Sequence, residues 1–147
     1  MLEEVISRLK INIEEVPQKF RKFSEEEASA RPAPGKWCKK EILGHLIDSA
    51  CNNHLRFVVA QFEAEPIQLR KYDADGWVSS QNYHGEPTEI IINIWTAYNT
   101  HILHIISGFP KEKLNVKWDI YGEIHTTEWL ITDYVDHMEH HLNKIFS

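Results

Sequence analysis

Nine histidines stand in this chain, and the pair in Asp136-His137-Met138-Glu139-His140-His141 has the spacing that most constrains a chemistry. Four residues on a helix bring His137 and His141 to one face, about 40° apart and one turn from each other, so two imidazoles can clamp one ion. His45 lies in an earlier segment that also reads as an amphipathic helix. A third neutral imidazole from a facing helix makes a three-histidine set with an open coordination position, the arrangement that catalytic zinc sites use. Histidine pairs four apart also arise by chance on solvated faces, so the pair alone does not establish ligation.

The neighbours of these residues define what else a site would hold. Around His45, at about 100° per residue, Asp48, Ser49, Asn52 and Arg56 lie within about 60° of its direction and form a polar stripe over three turns. The alternative reading is a solvated helix face. Asp133, Tyr134, His141 and Lys144 share the direction of His137. Glu41 and Asp133 each precede a candidate ligand by four residues, where a carboxylate can orient an imidazole through its second nitrogen. His140 can flank the site. His101 and His104, three apart, have a legitimate ligand spacing but fall among isoleucines and read as the polar edge of a packed face. His54 points about 180° from His45, and His84 and His125 fall in expected loops. Cys51 points about 120° away from His45, against a mixed histidine and cysteine site. Cys38 reads as a helix-start residue, because no adjacent histidine lowers its pKa.

Four periodic segments must position these groups. The first runs from about Leu2 to Phe23, with Pro17 expected to kink it. Ser24 to Glu27 has the form of a capping box, and Arg31-Pro32-Ala33-Pro34-Gly35 denies the chain a helix ladder. The second helix is expected from Cys38 to about Phe62, bounded by Pro66. A long connection from about Ala64 to Glu86 follows and carries Tyr72 and Trp77. The third helix is expected from Pro87-Thr88 to Gly108. Alternation of Val116, Trp118 and Ile120 before Tyr121-Gly122-Glu123 predicts a small hairpin between Leu114 and His125. Thr126 or Thr127 caps a fourth helix from Glu128 to about Phe146. The expected class is all-α: a four-helix bundle with long connections and a small hairpin before the last helix.

At 147 residues the chain reads as a single domain, 1–147, able to bury a core without disulfides. Its 42% hydrophobic and 26% charged residues match an ordinary globular protein rather than a disordered one. No run of eighteen apolar residues points to a membrane span. The start, Met1-Leu2-Glu3-Glu4-Val5, is acidic where a secretory signal is basic, so a cytoplasmic location is expected. A net charge of −6 works against binding nucleic acid through its phosphates. Cys38 and Cys51 are too few for a disulfide framework and are expected to be reduced.

The stretch Gly35-Lys36-Trp37-Cys38-Lys39-Lys40-Glu41-Ile42-Leu43-Gly44-His45-Leu46-Ile47-Asp48-Ser49, then Asn52 and Leu55-Arg56-Phe57, resembles the DinB-like superfamily. Within it the chain is similar to the YfiT-like metal-dependent hydrolases related to bacillithiol transferases. Arg70-Lys71-Tyr72-Asp73, Trp77, and Tyr134-Val135-Asp136-His137 through His141-Leu142 extend the resemblance over nearly the whole chain. Cys38 departs from the serine or threonine that commonly caps helix two in the family. The resemblance implies a four-helix bundle, metal ligands at His45, His137 and His141, a divalent ion (zinc or nickel, with iron or manganese also accepted) and a homodimer.

It further implies transfer of a low-molecular-weight thiol to a small electrophile. In that reading Asp48, Asn52 and Arg56 orient the polar groups of the thiol, with Arg56 the partner of a carboxylate. Tyr72 and Trp77 wall the electrophile pocket. Hydrolysis by a water of lowered pKa is the alternative. So is a non-catalytic bundle, stabilised by its metal, that serves binding or dimerisation.

Overall fold

The four long periodic segments are four long helices in the computed structural model, which describes residues 2–147. Helix α1 spans Leu2–Phe20 and buries Val5, Leu9, Val16 and Phe20, a stripe at helical spacing. It ends at Phe20 rather than Phe23. Pro17 falls in its last turn, where the missing N–H costs one bond, and its carbonyl still accepts from the Arg21 N–H at 3.1 Å. Helix α2, Glu25–Ser29, has the expected capping box: Ser24 Oγ accepts from the Glu27 N–H at 3.0 Å, and the Glu27 carboxylate accepts from the Ser24 N–H at 2.9 Å.

Helix α3, Lys39–Val59, is the spine of the molecule and stops before the expected Phe62. The chain leaves it through tight turns, with Gln61, Phe62 and Glu63 N–H groups bonded to the Val58 and Val59 carbonyls. α3 packs against α5, Thr88–Ser107, and α6, Thr127–Phe146; α1 packs against the same two helices. The bundle therefore places α1 and α3 on one diagonal and α5 and α6 on the other. Trp95, Ile91, Ile102 and Ile106 of α5 and Ile131, Val135 and Ile145 of α6 fill the space between them.

Two connections are more ordered than their composition implies. The stretch expected to be a loop from Ala64 to Glu86 contains β1, Ile67–Gln68, and helix α4, Ala74–Gln81, capped by Asp73 accepting from the Gly76 N–H at 3.1 Å. The hairpin of β2, Lys117–Ile120, and β3, Glu123–Thr126, is part of a three-stranded sheet, because β1 pairs in parallel with β2. Its turn residues Tyr121 and Gly122 both have positive φ, 53° and 90°, the backbone of a two-residue hairpin turn that matches strand twist. Trp118 anchors the sheet to the start of α6 by donating from Nε1 to Thr127 Oγ1 at 3.0 Å. Thr126 caps α6 by accepting from the Trp129 N–H at 3.1 Å. No helix among the described residues is long and apolar enough to cross a membrane.

Candidate metal centre

His45 projects from the second turn of α3 toward α6, where His137 and His141 occupy one face. One donor atom from each of the three rings can be chosen so that all lie within 4.8 Å of one another. His45 Nε2 and His137 Nε2 are 3.3 Å apart. Two nitrogens each about 2.05 Å from a tetrahedral zinc stand about 3.3 Å apart, so this pair already has the spacing of two ligands on one ion. The ring centroids are separated by 5.2, 4.7 and 4.6 Å for His45–His137, His45–His141 and His137–His141.

Burial keeps these imidazoles neutral. It pushes the His45 pKa down to about 4, with the charges of His137 and Lys144 adding to the effect. Burial, then the neighbouring histidines and Lys144, push His141 down to about 3. His137 is lowered by burial, with Asp133 working the other way. Neutral imidazole is the form that ligates a metal, so the site is poised for one. His45 Nδ1 and His141 Nδ1 are buried and have no hydrogen-bond partner among the described residues. The three neutral rings each bring one donor nitrogen to within 4.8 Å of the others, and a cation between them answers the converging lone pairs. The donor set therefore fits a divalent ion.

A cavity of about 610 Å³ opens onto this centre. The loop 32–37, Asp75 of α4, and His141 and Lys144 of α6 line it. The Trp37 ring lies 5.0 Å from the His45 ring and covers it on the cavity side. Asp48, one turn beyond His45, is only 1% exposed. Its Oδ1 accepts from the Tyr83 hydroxyl and from Gln81 Nε2, both at 2.8 Å, and its Oδ2 has no partner among the described residues. Burial raises its pKa. Gly44 makes this contact possible: a Cβ there would come within 2.2 Å of the Tyr83 ring.

A family model described as the DinB superfamily matches residues 8–145. The chain belongs to the DinB superfamily. Among solved structures it is similar to YfiT from Bacillus subtilis, described as a probable metal-dependent hydrolase with an unusual four-helix bundle topology. That match has 21% identity and a TM-score of 0.82 over 98% of this chain and 83% of the other. The likeness establishes the four-helix fold. No curated protein matches the chain in sequence at a significant level.

In this DinB-superfamily chain the residues expected to act together are distributed unevenly. His45, His137 and His141 are neighbours, and Asp48 follows His45 by one turn of α3 with Tyr83 and Gln81 as its partners. Asn52 and Arg56 stand about 10 and 16 Å farther along α3 from His45, at 1.5 Å per residue. Asn52 donates to the Asp48 carbonyl at 2.9 Å. Arg56 donates to Asn53 Oδ1 at 3.3 Å and to the Arg70 carbonyl at 3.0 Å. Both border a separate cavity of about 420 Å³ between α3 and β1. Tyr72 and Trp77 pack edge to face at 5.6 Å. Burial raises the Tyr72 pKa, and Arg56 is the charge that opposes the rise, which places the Tyr72 ring beside the lower stripe.

The two carboxylates expected to orient ligands differ from that role. Glu41 accepts from Arg31 Nη1 and Nη2 and from the Cys38 N–H, leaving His45 Nδ1 without it. Its position at the third residue of α3 makes it an N-terminal cap instead. Asp133 is in the field of His137 and Arg56, without a hydrogen bond to His137. Trp37, Gln81, Tyr83 and Lys144 complete the site. Only Lys144 and Trp37 had a sequence signal, one by sharing the direction of His137 and the other by lying in the stretch that carries the family resemblance.

Proposed function

We propose that this protein is a divalent-metal-dependent enzyme acting on a small molecule, with hydrolysis as its basic chemistry. The observation that carries this reading is the convergence of three neutral imidazoles, His45, His137 and His141, beside an open cavity that His141 borders. A divalent ion bound there would supply a nucleophile at neutral pH by lowering the pKa of a coordinated water or thiol. Three imidazoles accept zinc, nickel, iron or manganese, and availability selects among them. The likeness to a protein described as a probable metal-dependent hydrolase supports the same reading.

The chain's own groups divide the remaining work. Trp37 excludes water from one side of His45 and offers an apolar ring to substrate. Lys144 and Lys36 on the cavity wall present ammonium groups to an anionic part of the substrate. Asp48, held by Tyr83 and Gln81, keeps one oxygen free to accept a proton or a hydrogen bond beside the centre.

Thiol transfer to an electrophile is a second reading, favoured by the size of the cavity. At about 610 Å³ it lies within the range that holds drug-sized ligands, which leaves room for a thiol beside an electrophile. In that case Lys36 and Lys144 meet the acidic groups of the thiol, and Arg56 receives a carboxylate only from a ligand long enough to reach past Asp48.

Elemental analysis of untagged wild-type protein and of His137→Ala tests the centre. About one tightly held divalent ion per chain that survives desalting, absent from the variant, is the expected result. No metal in the wild type after reconstitution would leave a non-catalytic bundle. Turnover of an ester panel with and without added thiol then separates the two chemistries: thiol-independent turnover is hydrolysis, and thiol-dependent loss of an electrophile is transfer.

A further inference from the structure

A second group of histidines lies on the opposite side of α3. His54, about 180° around the helix from His45, meets Tyr98 and His101 of α5, and His104 follows one turn later. The His54 and His101 rings are 5.2 Å apart at 88°, the same centroid separation as His45 and His137, which are 5.2 Å apart at 72°. His104 stacks beside His101 with centroids 6.4 Å apart. His101 and His104 are exposed, and His54 is half-buried.

Tyr98 engages one nitrogen of His54 and leaves the other turned away from it. Its hydroxyl lies 2.9 Å from His54 Nδ1. A phenol has one proton and two lone pairs. When that oxygen accepts from His54 Nδ1–H, the Nε2 lone pair is left available for an ion. Ligand histidines are held in this way, with the second nitrogen donating to a fixed oxygen.

We propose that His54, His101 and His104 form a second metal site, on the α3–α5 surface, for borderline first-row divalent ions: Cu²⁺, Ni²⁺ and Zn²⁺. Imidazole suits all three, and the usual affinity order places Cu²⁺ first. Residues three apart on α5 lie on one face, and His54 supplies the ligand from the neighbouring helix. The buried set has donor atoms already gathered within 4.8 Å. The surface set differs in needing the exposed His101 and His104 rings to turn onto the ion, a motion that exposed side chains make on the picosecond to nanosecond scale. The surface site is therefore the weaker and faster-exchanging of the two.

The test is a calorimetric titration of chelator-stripped, untagged full-length protein with Ni²⁺ and with Zn²⁺, checked by elemental analysis. Wild type should bind about two ions per chain, the second more weakly. His101→Ala/His104→Ala should keep only the tight ion, and its melting curve in chelator should match wild type because both side chains are exposed. His45→Ala/His137→Ala should keep only the weak one, which reports on the surface site whether or not the buried reading holds. Tyr98→Phe should weaken the second ion about tenfold, the usual effect of losing a group that orients a ligand. No ion bound by folded His45→Ala/His137→Ala, or a second ion unchanged in His101→Ala/His104→Ala, would overturn the proposal.

Discussion

Helix α3 carries histidines on two opposite sides, and the two sides solve different problems. Toward α6, His45 is 5% exposed and its ring meets the half-buried His137 and His141. Toward α5, His54 shares a more open seam with Tyr98 and His101. The buried set has converging donors and no fixed oxygen on His45 Nδ1 or His141 Nδ1. The surface set has the fixed oxygen, on Tyr98, and no convergence. Burial of His45 under Trp37 helps to hold the first geometry, because close packing limits the rotation of its ring. Without packing, orientation has to come from a hydrogen bond.

Breaking the convergence should give the largest effect. His137→Ala is expected to take the buried centre from about one ion per chain to near none and to abolish metal-dependent turnover, while His54→Ala leaves both unchanged. Metal analysis and activity of the two variants side by side make the contrast direct. Equal loss from both would mean that the seams are not independent.

Disturbing the wall of the buried centre comes next. Gly44→Ala forces the Tyr83 ring off α3, because the new Cβ would meet its carbons at 2.2–2.6 Å. Overpacking of this kind costs about 1–3 kcal/mol, a fall in Tm of roughly 3–10 °C for a domain of this size. Differential scanning calorimetry reads it, and an unchanged Tm would show that Tyr83 swings away freely.

Acid should distinguish the buried seam by its pH dependence. In chelator-stripped protein the folded pKa values of His45 and His141, about 4 and about 3, lie below the unfolded value of about 6.5. The unfolded chain therefore binds more protons between those limits, so stability is fully present above pH 6.5 and falls as the pH drops toward 4. Urea titrations at pH 7, 6 and 5 should show the decline before most carboxylates titrate. His141→Gln should flatten it, and bound metal should raise the stability without flattening the slope, because the unfolded chain still takes up the protons. A slope unchanged in His141→Gln would assign the decline elsewhere.

Asp48→Asn should be the mildest for stability. The amide keeps the shape, and burial already disfavours the charge, so a change under about 1 kcal/mol is expected. A large loss of turnover with a Tm near that of wild type would give Asp48 a role in handling substrate. Loss of both together would reduce it to an anchor for Tyr83 and Gln81.

Much of this architecture was legible because it is local. Apolar repeats at three and four residues marked the four long helices, and Ser24 with Glu27 marked α2. Strand β1 was not legible, since a two-residue strand has no period and exists only because Trp118 and Asp119 lie opposite it. Helix α4 was hidden in a segment whose residues read equally well as a turn. Glu41 illustrates the limit of spacing: its place four residues before His45 pointed to one role, and Arg31, brought over by the proline-rich linker, helps to hold it in another.

By itself the sequence determined that His137 and His141 share a face, because helix geometry relates residues four apart without reference to anything else. It also determined that His45 and His54 look in opposite directions. Tertiary structure alone decided that His45 meets the pair, that Trp37 covers it, that Tyr83 and Gln81 hold Asp48, and that Tyr98 holds His54. Those contacts join separate elements, and their distances follow from how the helices cross and pack, which no periodicity along one chain segment encodes.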